Sequence, residues 1–493
     1  MAAMSRPTRP WLRAALTLVL VLAAAASVRV GQAPRPRTNV LVILIDDLGW
    51  IDTGVYGSRF YQTPAIDRLA REGVRFTEFY TASPVCSPTR ASLLTGKHPA
   101  RVGITDWIGG SQVGLLRPPP NVDALPLAEV TVGEAFRNAG YVTGYTGKWH
   151  LGSDGHMPAD QGFMETKAVN HAGQPSSYFP PYRRDKPSPQ DVPDLTADPP
   201  DAYLTDRLTD VTLDFLHRHR HDAFFYVLSH YSVHTPLQAP EALVAKYRET
   251  SNGGPDVSDA GFETEGPSFT KQRQDHPTYA AMIDATDRSV GRVLDTLDAL
   301  GLTERTLVVF LSDNGGLSTL PRRGPGTPTS NAPLRSGKGW LYEGGIRAPL
   351  IVRGPGVAGR GRAIAGAAMS TDLYPTLLEL AGLPPLGAQH LDGVSLGPAI
   401  RDGRPLPSRT LYWHFPHYHG SGNTPTGAIR DGSLKLHEWF EDGRVELYRL
   451  DDDPGERRNL AAADPATVTV LRSRLADWRR EVGARMPTPN PSK

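Results

Sequence analysis

The chain has 493 residues, 53 Lys and Arg against 52 Asp and Glu, and a formal net charge of +1. That balance excludes binding that depends on a strongly basic or acidic surface, so neither nucleic acid nor a membrane surface is expected as a partner. The length allows one large core with a smaller second domain, and the single cysteine, Cys86, excludes an internal disulfide.

The N-terminus carries Arg6, Arg9 and Arg13, then an apolar run from Ala14 to about Val28 with small residues near its end. This is the layout of a secretory signal peptide. An uncleaved membrane anchor is the competing reading, but the run is short of the roughly twenty apolar residues of a span. Residues 1–33 are expected to be removed, with the cut between Ala26 and Ala33. No asparagine lies in an Asn-x-Ser/Thr acceptor, Asn490 being followed by proline. The expectation is a bacterial exported protein, periplasmic or secreted, with no stable membrane insertion after cleavage.

Val40–Ile45 is a continuous apolar run of strand length that stops at Asp46-Asp47. Thr63-Pro64 opens a helix through Ile66, Leu69 and Ala70 to Gly73. Cys86 follows in Pro84-Val85-Cys86-Ser87-Pro88-Thr89-Arg90, and Thr89 to Leu94 reads as the first turns of a helix ending at Gly96. An unpaired thiol is usually a small buried hydrophobe. At a helix N-terminus beside a cation, however, it sits where an anion is stabilised. Thr131 and Glu134 form a capping box for a helix stopped at Gly140. A strand at about Tyr141–Thr146 leads into Lys148 and His150, and Ala223–Leu228 leads into Ser229, His230 and His234.

Tyr279–Leu300 carries apolar residues at helical spacing, and Thr306–Leu311 is a second buried-type strand stopping at Ser312-Asp313-Asn314-Gly315-Gly316. Asp372–Leu383 is a further helix. Beyond about residue 400, short strands at 411–415, 428–430, 434–436 and 446–449 are joined by Asp-Gly turns, and a helix covers 465–482. The Pro/Gly-rich stretches 174–200, 251–277 and 318–336 read as surface loops.

Strand–helix alternation predicts an α/β fold with a large, mostly parallel sheet flanked by helices over 36–400, and a small α+β subdomain with an antiparallel sheet over 401–486. Ligands of such sheets collect beyond the carboxyl ends of the strands. Four strands here deliver acids, amides, lysine or histidines to that edge. Asp46, Asp47, Asp313 and Asn314 form an all-oxygen set suited to Ca²⁺ or Mg²⁺, although each pair can also serve simply to cap a loop. Arg90, Lys148 and Lys338 offer positive charge, and His150 and His234 offer proton transfer.

The Cys86-x-Pro88-x-Arg90 segment with its Leu93-Leu94-Thr95-Gly96 tail resembles the sulfatase family, in which this cysteine is oxidised to formylglycine. Gly140 to His150, Asp313–Gly316, Gly337-Lys338-Gly339, Tyr342–Arg347 and Tyr448–Leu460 resemble further family segments, with Thr146 a slight departure. The resemblance implies the alkaline-phosphatase-like fold and hydrolysis of a sulfate monoester. It implies a divalent cation, Ca²⁺ with Mg²⁺ as the other choice, held by Asp46, Asp47, Asp313, Asn314 and an oxygen of modified Cys86. It also implies that Arg90 and Lys148 orient the nucleophile, that His234 or Lys338 protonates the departing alcohol, and that His150 takes the proton when sulfate is released. A formylglycine-generating maturation enzyme is an implied partner.

Alkaline-phosphatase-like enzymes with two zinc ions need an Asp-His pair where this chain has Asp313-Asn314. Formylglycine-dependent phosphonate or phosphodiester hydrolases are closer rivals, and an inactive glycan-binding homologue is a third. Trp107, His171, Trp413, His414, His417 and His419 are candidate pocket groups, with packing of the C-terminal subdomain the equal alternative for 413–419. The segment from His414 to His419 resembles stretches in bacterial carbohydrate sulfatases, which implies a sulfated glycan or a related sulfated small molecule as substrate.

Overall fold

Apolar runs without alternation arise where both faces of a strand are covered. The computed structural model describes Met1 and residues 37–196, 199–250, 258 and 261–493, and the expected signal peptide lies outside them. Every residue of strand Asn39–Ile45 is buried. Leu41, Ile43 and Ile45 enter one apolar cluster, while Val40, Val42 and Leu44 enter another on the opposite face. This is the two-residue period of a strand, with apolar packing on both sides.

Eight strands form the main sheet in the order Arg362–Met369, Val74–Tyr80, Leu350–Arg353, Thr306–Ser312, Asn39–Ile45, Phe224–Ser229, Val142–Gly147 and Glu165–Lys167. All run in one direction except Leu350–Arg353, which is antiparallel to both neighbours. Helices Pro64–Glu72, Leu204–Arg218 and Pro277–Ala299 cover one face; Cys86–Thr95, Val132–Asn138 and Leu373–Leu380 cover the other. Ile45 lies beside Ser312, Leu44 beside Ser229, and Ser229 beside Gly147. The segments after these four strands therefore emerge along one edge.

The capping box of Thr131 and Glu134 forms as expected. Thr63 does not cap its helix through its side chain. Its Oγ1 accepts from the Gly54 N–H, and the Asp287 carboxylate instead accepts from the N–H groups of Ala65 and Ile66 at 3.1 and 2.8 Å. A cap delivered from 221 residues away leaves no local sequence signal.

The stretch 318–336 is a surface loop only in its middle, where residues 321–326 are mostly exposed; its flanks are buried. Ser318, Thr319, Thr327, Thr329, Ser330 and Asn331 are buried, and Thr319–Leu320 pairs with a hairpin of Phe262–Glu265 and Ser268–Lys271. Burial is tolerated because Asn331 Nδ2 donates to Gly316 O, Ser318 Oγ and Ser336 O, which satisfies polar groups that water would otherwise serve.

A separate antiparallel sheet runs in chain order through Thr410–Phe415, Thr426–Asp431, Leu434–Trp439 and Val445–Arg449. Helix Pro465–Glu481 lays Leu471, Leu475 and Trp478 against its Ile429, Leu436 and Leu447. On the other side, Trp413 Nε1 donates to Thr81 O, and buried Lys435 reaches Glu343 at 2.9 Å. Among the described residues no helix is long and apolar enough to cross a membrane.

Candidate active site

Asp46 and Asp47 leave the central strand, Asp47 in the left-handed region at φ 62°. Asp313 and Asn314 leave the neighbouring strand, and the Asp47 N–H donates to Asp313 Oδ1 at 3.2 Å. Cys86 is the first residue of its helix, three positions earlier than Thr89, where the sequence placed the start. Pro88 fits inside this first turn because its missing N–H would have had no helical partner there. The helix ends at Gly96, whose φ of 66° provides the left-handed stop. Cys86 is buried at the floor of the site. Ligand atoms of Asp46, Cys86 and Asp313 lie within 4.8 Å of one another, as do those of Asp46, Asp47 and His234.

Three buried cations answer the three carboxylates. Lys148 Nζ sits 2.6 Å from Asp46 Oδ2, and Lys338 Nζ 2.7 Å from Asp47 Oδ1. Arg90 Nε and Nη2 grip Asp313 Oδ2 at 2.9 and 2.8 Å, while its Nη1 donates to Lys148 O and Ser229 Oγ. Burial pushes the Asp46 carboxyl well up, against the pull of Lys148. At Asp47 burial is outweighed by Lys338 and His234, and at Asp313 by Arg90 and Lys148, so both carboxyls lie below the usual range. Burial opposes the charge of Lys338, but Asp47 holds this amine strongly protonated.

Two buried oxygens in this cluster, Asp46 Oδ1 and Asn314 Oδ1, accept no hydrogen bond. An oxygen stranded in this way is costly, and a cation would satisfy both. The surrounding donors are carboxylate and amide oxygens, which fit a hard divalent ion.

Lys148 is placed by Gly147, whose φ is 98° and whose Cβ, if present, would lie 1.8 Å from Ser229 O. Only glycine lets the two strand ends approach so that the Lys148 N–H can donate to that carbonyl at 2.9 Å. His150 Nε2 donates to Ile108 O at 3.1 Å, which leaves Nδ1 buried without a partner. Burial, then Lys148, push this imidazole well below its ordinary value. His234 Nδ1 lies 2.9 Å from Thr235 O, and its Nε2 lies 3.6 Å from Asp47 Oδ2.

Cys86, His150, His234 and Lys338 open into a cavity of about 320 Å³ that Trp107 and His419 also line. The other candidate pocket groups lie elsewhere. Trp413 is buried in the sheet, His414 Nε2 meets Arg485 O, and His417 Nε2 meets Thr105 Oγ1. His171 is half-buried, and its neighbours Gly173 and Gln174 line the cavity instead. Alternation along a strand and its exit loop separates residues that are adjacent in sequence.

Sequence reasoning missed Ser229 as the partner of Arg90, although its place at a strand end was visible. It also missed Asp52 and Tyr279. Tyr279 Oη donates to Asp52 Oδ2 at 2.7 Å and lies 3.2 Å from Asp47 O, under the acidic pair. A tyrosine inside an amphipathic helix gives no sign of that role.

The model of the family described as Sulfatase matches residues 38–383, well over half of the chain. The chain belongs to the sulfatase family. A second model, described as N-sulphoglucosamine sulphohydrolase, C-terminal, matches residues 336–481. The sulfatase is 32% identical over 438 residues to N-acetylgalactosamine-6-sulfatase of Homo sapiens, covering 85% of this chain and 75% of that one. It is 31% identical over 513 residues to a sulfatase of Formosa agariphila, covering 89% and 88%. The crystal structure of Ps i-CgsB superposes with a TM-score of 0.73 at 27% identity, covering 90% of this chain and 92% of that one. The fold is the alkaline-phosphatase-like fold of these sulfatases, and the protein is a sulfuric ester hydrolase.

Proposed function

We propose that this sulfatase cleaves a sulfate monoester on a sulfated carbohydrate, using formylglycine made from Cys86 and a divalent cation, Ca²⁺ in preference to Mg²⁺. The observation that carries the reading is the convergence of Asp46, Cys86 and Asp313 on one point at the floor of a cavity lined by His150, His234 and Lys338. Carbohydrate is favoured because the Ps i-CgsB fold neighbour has been solved with k-i-k-neocarrahexaose, and a relative is named N-acetylgalactosamine-6-sulfatase. In this reading residues 36–400 carry the chemistry, residues 401–486 form an accessory subdomain, the chain is exported, and a maturation enzyme modifies Cys86.

Asp46, Asp47, Asp313 and Asn314 would hold the cation together with an oxygen of modified residue 86. Formylglycine, as its hydrate, would supply an oxygen nucleophile and a second hydroxyl for release of sulfate, and a bound cation would supply positive charge to the site. Arg90, locked by Asp313, Lys148 O and Ser229, presents fixed charge at the helix start, and Lys148 adds a second. His150 carries its proton on Nε2, so its Nδ1 lone pair takes the proton from residue 86 as sulfate departs. His234 and Lys338 share Asp47, and His234 would protonate the leaving alcohol from its imidazolium form, because the Nδ1–H donates to Thr235 O and the neutral ring has no proton on Nε2.

The reaction class is tested by offering the purified enzyme, from a maturation-competent host, a sulfate monoester, a phosphodiester and a phosphonate monoester. Turnover is expected to favour the sulfate ester, and preference for either phosphorus substrate would make the phosphonate or phosphodiester reading the correct one. His234→Ala is expected to lose about 10²-fold or more in kcat on sugar sulfates, whose leaving groups are poor, and clearly less on activated aryl sulfates. Equal losses on both, with the graded loss found in Lys338→Ala instead, would assign the proton to Lys338.

A further inference from the structure

His419 lies in the loop between strands Thr410–Phe415 and Thr426–Asp431, half-buried, with its ring on the cavity. The loop pins it tightly. Its own N–H donates to Asn423 O, its carbonyl accepts from the Gly422 N–H, and Ser421 Oγ lies 2.8 Å from Nδ1. Gly339 passes so close that a Cβ there would lie 2.1 Å from Nδ1.

The tautomer follows from one bond. The Ser421 backbone N–H donates to His419 Nδ1 at 3.1 Å, so Nδ1 is an acceptor and the neutral ring carries its proton on Nε2. Burial, then Lys338, push this imidazole down to about 3, which favours the neutral ring that the Ser421 N–H already requires. Among the described residues nothing accepts from Nε2, and this atom is open to the cavity. The result is a rigid, uncharged N–H donor with nothing of its own to bond.

The rest of the cavity has the same character. Trp107, Gln112, Gln174 and Gln190 bring an aromatic face and neutral amides. Among the described residues Lys338 is the one charged side chain on the lining, and Asp47 already holds its amine at 2.7 Å. Among these described residues no cation is left over for a uronate carboxylate, and no carboxylate waits for a free amino sugar.

We propose that His419 is a specificity-determining residue that donates its Nε2–H to an oxygen of a neutral sulfated sugar seated against Trp107. The class is a hexose or N-acetylhexosamine sulfate, with neither carboxylate nor free amine beside the ester. This rests on the carbohydrate reading given under Proposed function.

The test compares position-defined monosulfates of galactose, N-acetylgalactosamine and N-acetylglucosamine with a sulfated iduronic acid and with 4-nitrophenyl sulfate, which has no sugar oxygens. Wild-type enzyme is expected to prefer one of the neutral sugars over the uronate. On that sugar His419→Ala is expected to lower kcat/KM about tenfold more than it does on 4-nitrophenyl sulfate. His419→Gln, which restores an N–H donor, recovers part of the loss, and thermal melting checks that both variants fold. Equal losses on sugar and aryl ester, no recovery by glutamine, or a uronate as the best substrate each overturn the proposal while leaving the carbohydrate reading intact. Wild-type enzyme that cleaves 4-nitrophenyl sulfate but no sugar sulfate overturns the carbohydrate reading and this proposal together, and no cleavage of any sulfate ester overturns both as well.

Discussion

Cys86→Ala is expected to lose turnover by about 10⁴-fold or more while keeping its fold, because it removes the one group that can be made into the nucleophile. The helix start depends little on the thiol. Pro88 and the helix's own hydrogen bonds hold it, and Gly96 closes it. Alanine is a good helix former of nearly the same size, so stability should change by about 1 kcal/mol or less. Peptide mass spectrometry of active protein checks the premise directly: residue 86 should be lighter than cysteine by loss of H₂S and gain of one oxygen. A fully active enzyme carrying only unmodified thiol at 86 would refute the proposed chemistry.

Asp313 carries two duties that separate experimentally. Its Oδ2 neutralises Arg90, and its Oδ1 accepts from the Asp47 N–H, so it ties the second acidic pair to the first. Asp313→Asn keeps the shape but removes a charge from the cation site. Bound Ca²⁺ or Mg²⁺, measured by elemental analysis, should fall sharply and turnover should drop by about 10³-fold. Asp313→Ala should do the same and also remove the oxygen that accepts from Arg90 Nε and Nη2, leaving the buried guanidinium without charge or acceptor there and lowering stability by about 3 kcal/mol or more. Undiminished activity of Asp313→Asn in excess chelator would remove the cation from the mechanism. Stoichiometric zinc with no calcium or magnesium in active enzyme would show that the preference inferred from oxygen donors is wrong.

Much of the sheet was legible because its signals are local. Val40–Ile45 and Thr306–Leu311 read as doubly buried strands from composition alone, and the acids at their ends marked the functional edge. The box of Thr131 and Glu134 was legible for the same reason, both members lying within one turn. What failed involved partners far apart in the chain. Asp287 replaces Thr63 as a cap, and Asn331 ties the flanks of the 318–336 loop into buried structure. The cluster 413–419 shows the limit most plainly: four polar or aromatic candidates look alike in sequence, yet only His419 reaches the cavity.

By itself, the sequence determined the strand and helix types, the edge where polar residues gather, and the Cys-x-Pro-x-Arg segment, because each depends on residues within a few positions of one another. Only the tertiary structure decided that Lys338 faces Asp47 across 291 positions, that Arg90 is clamped by Asp313, and that two oxygens are left without donors in the middle. Those outcomes depend on register between strands and on the paths of their exit loops. Register is set by the packing of two whole sheet faces, and no single segment contains that information.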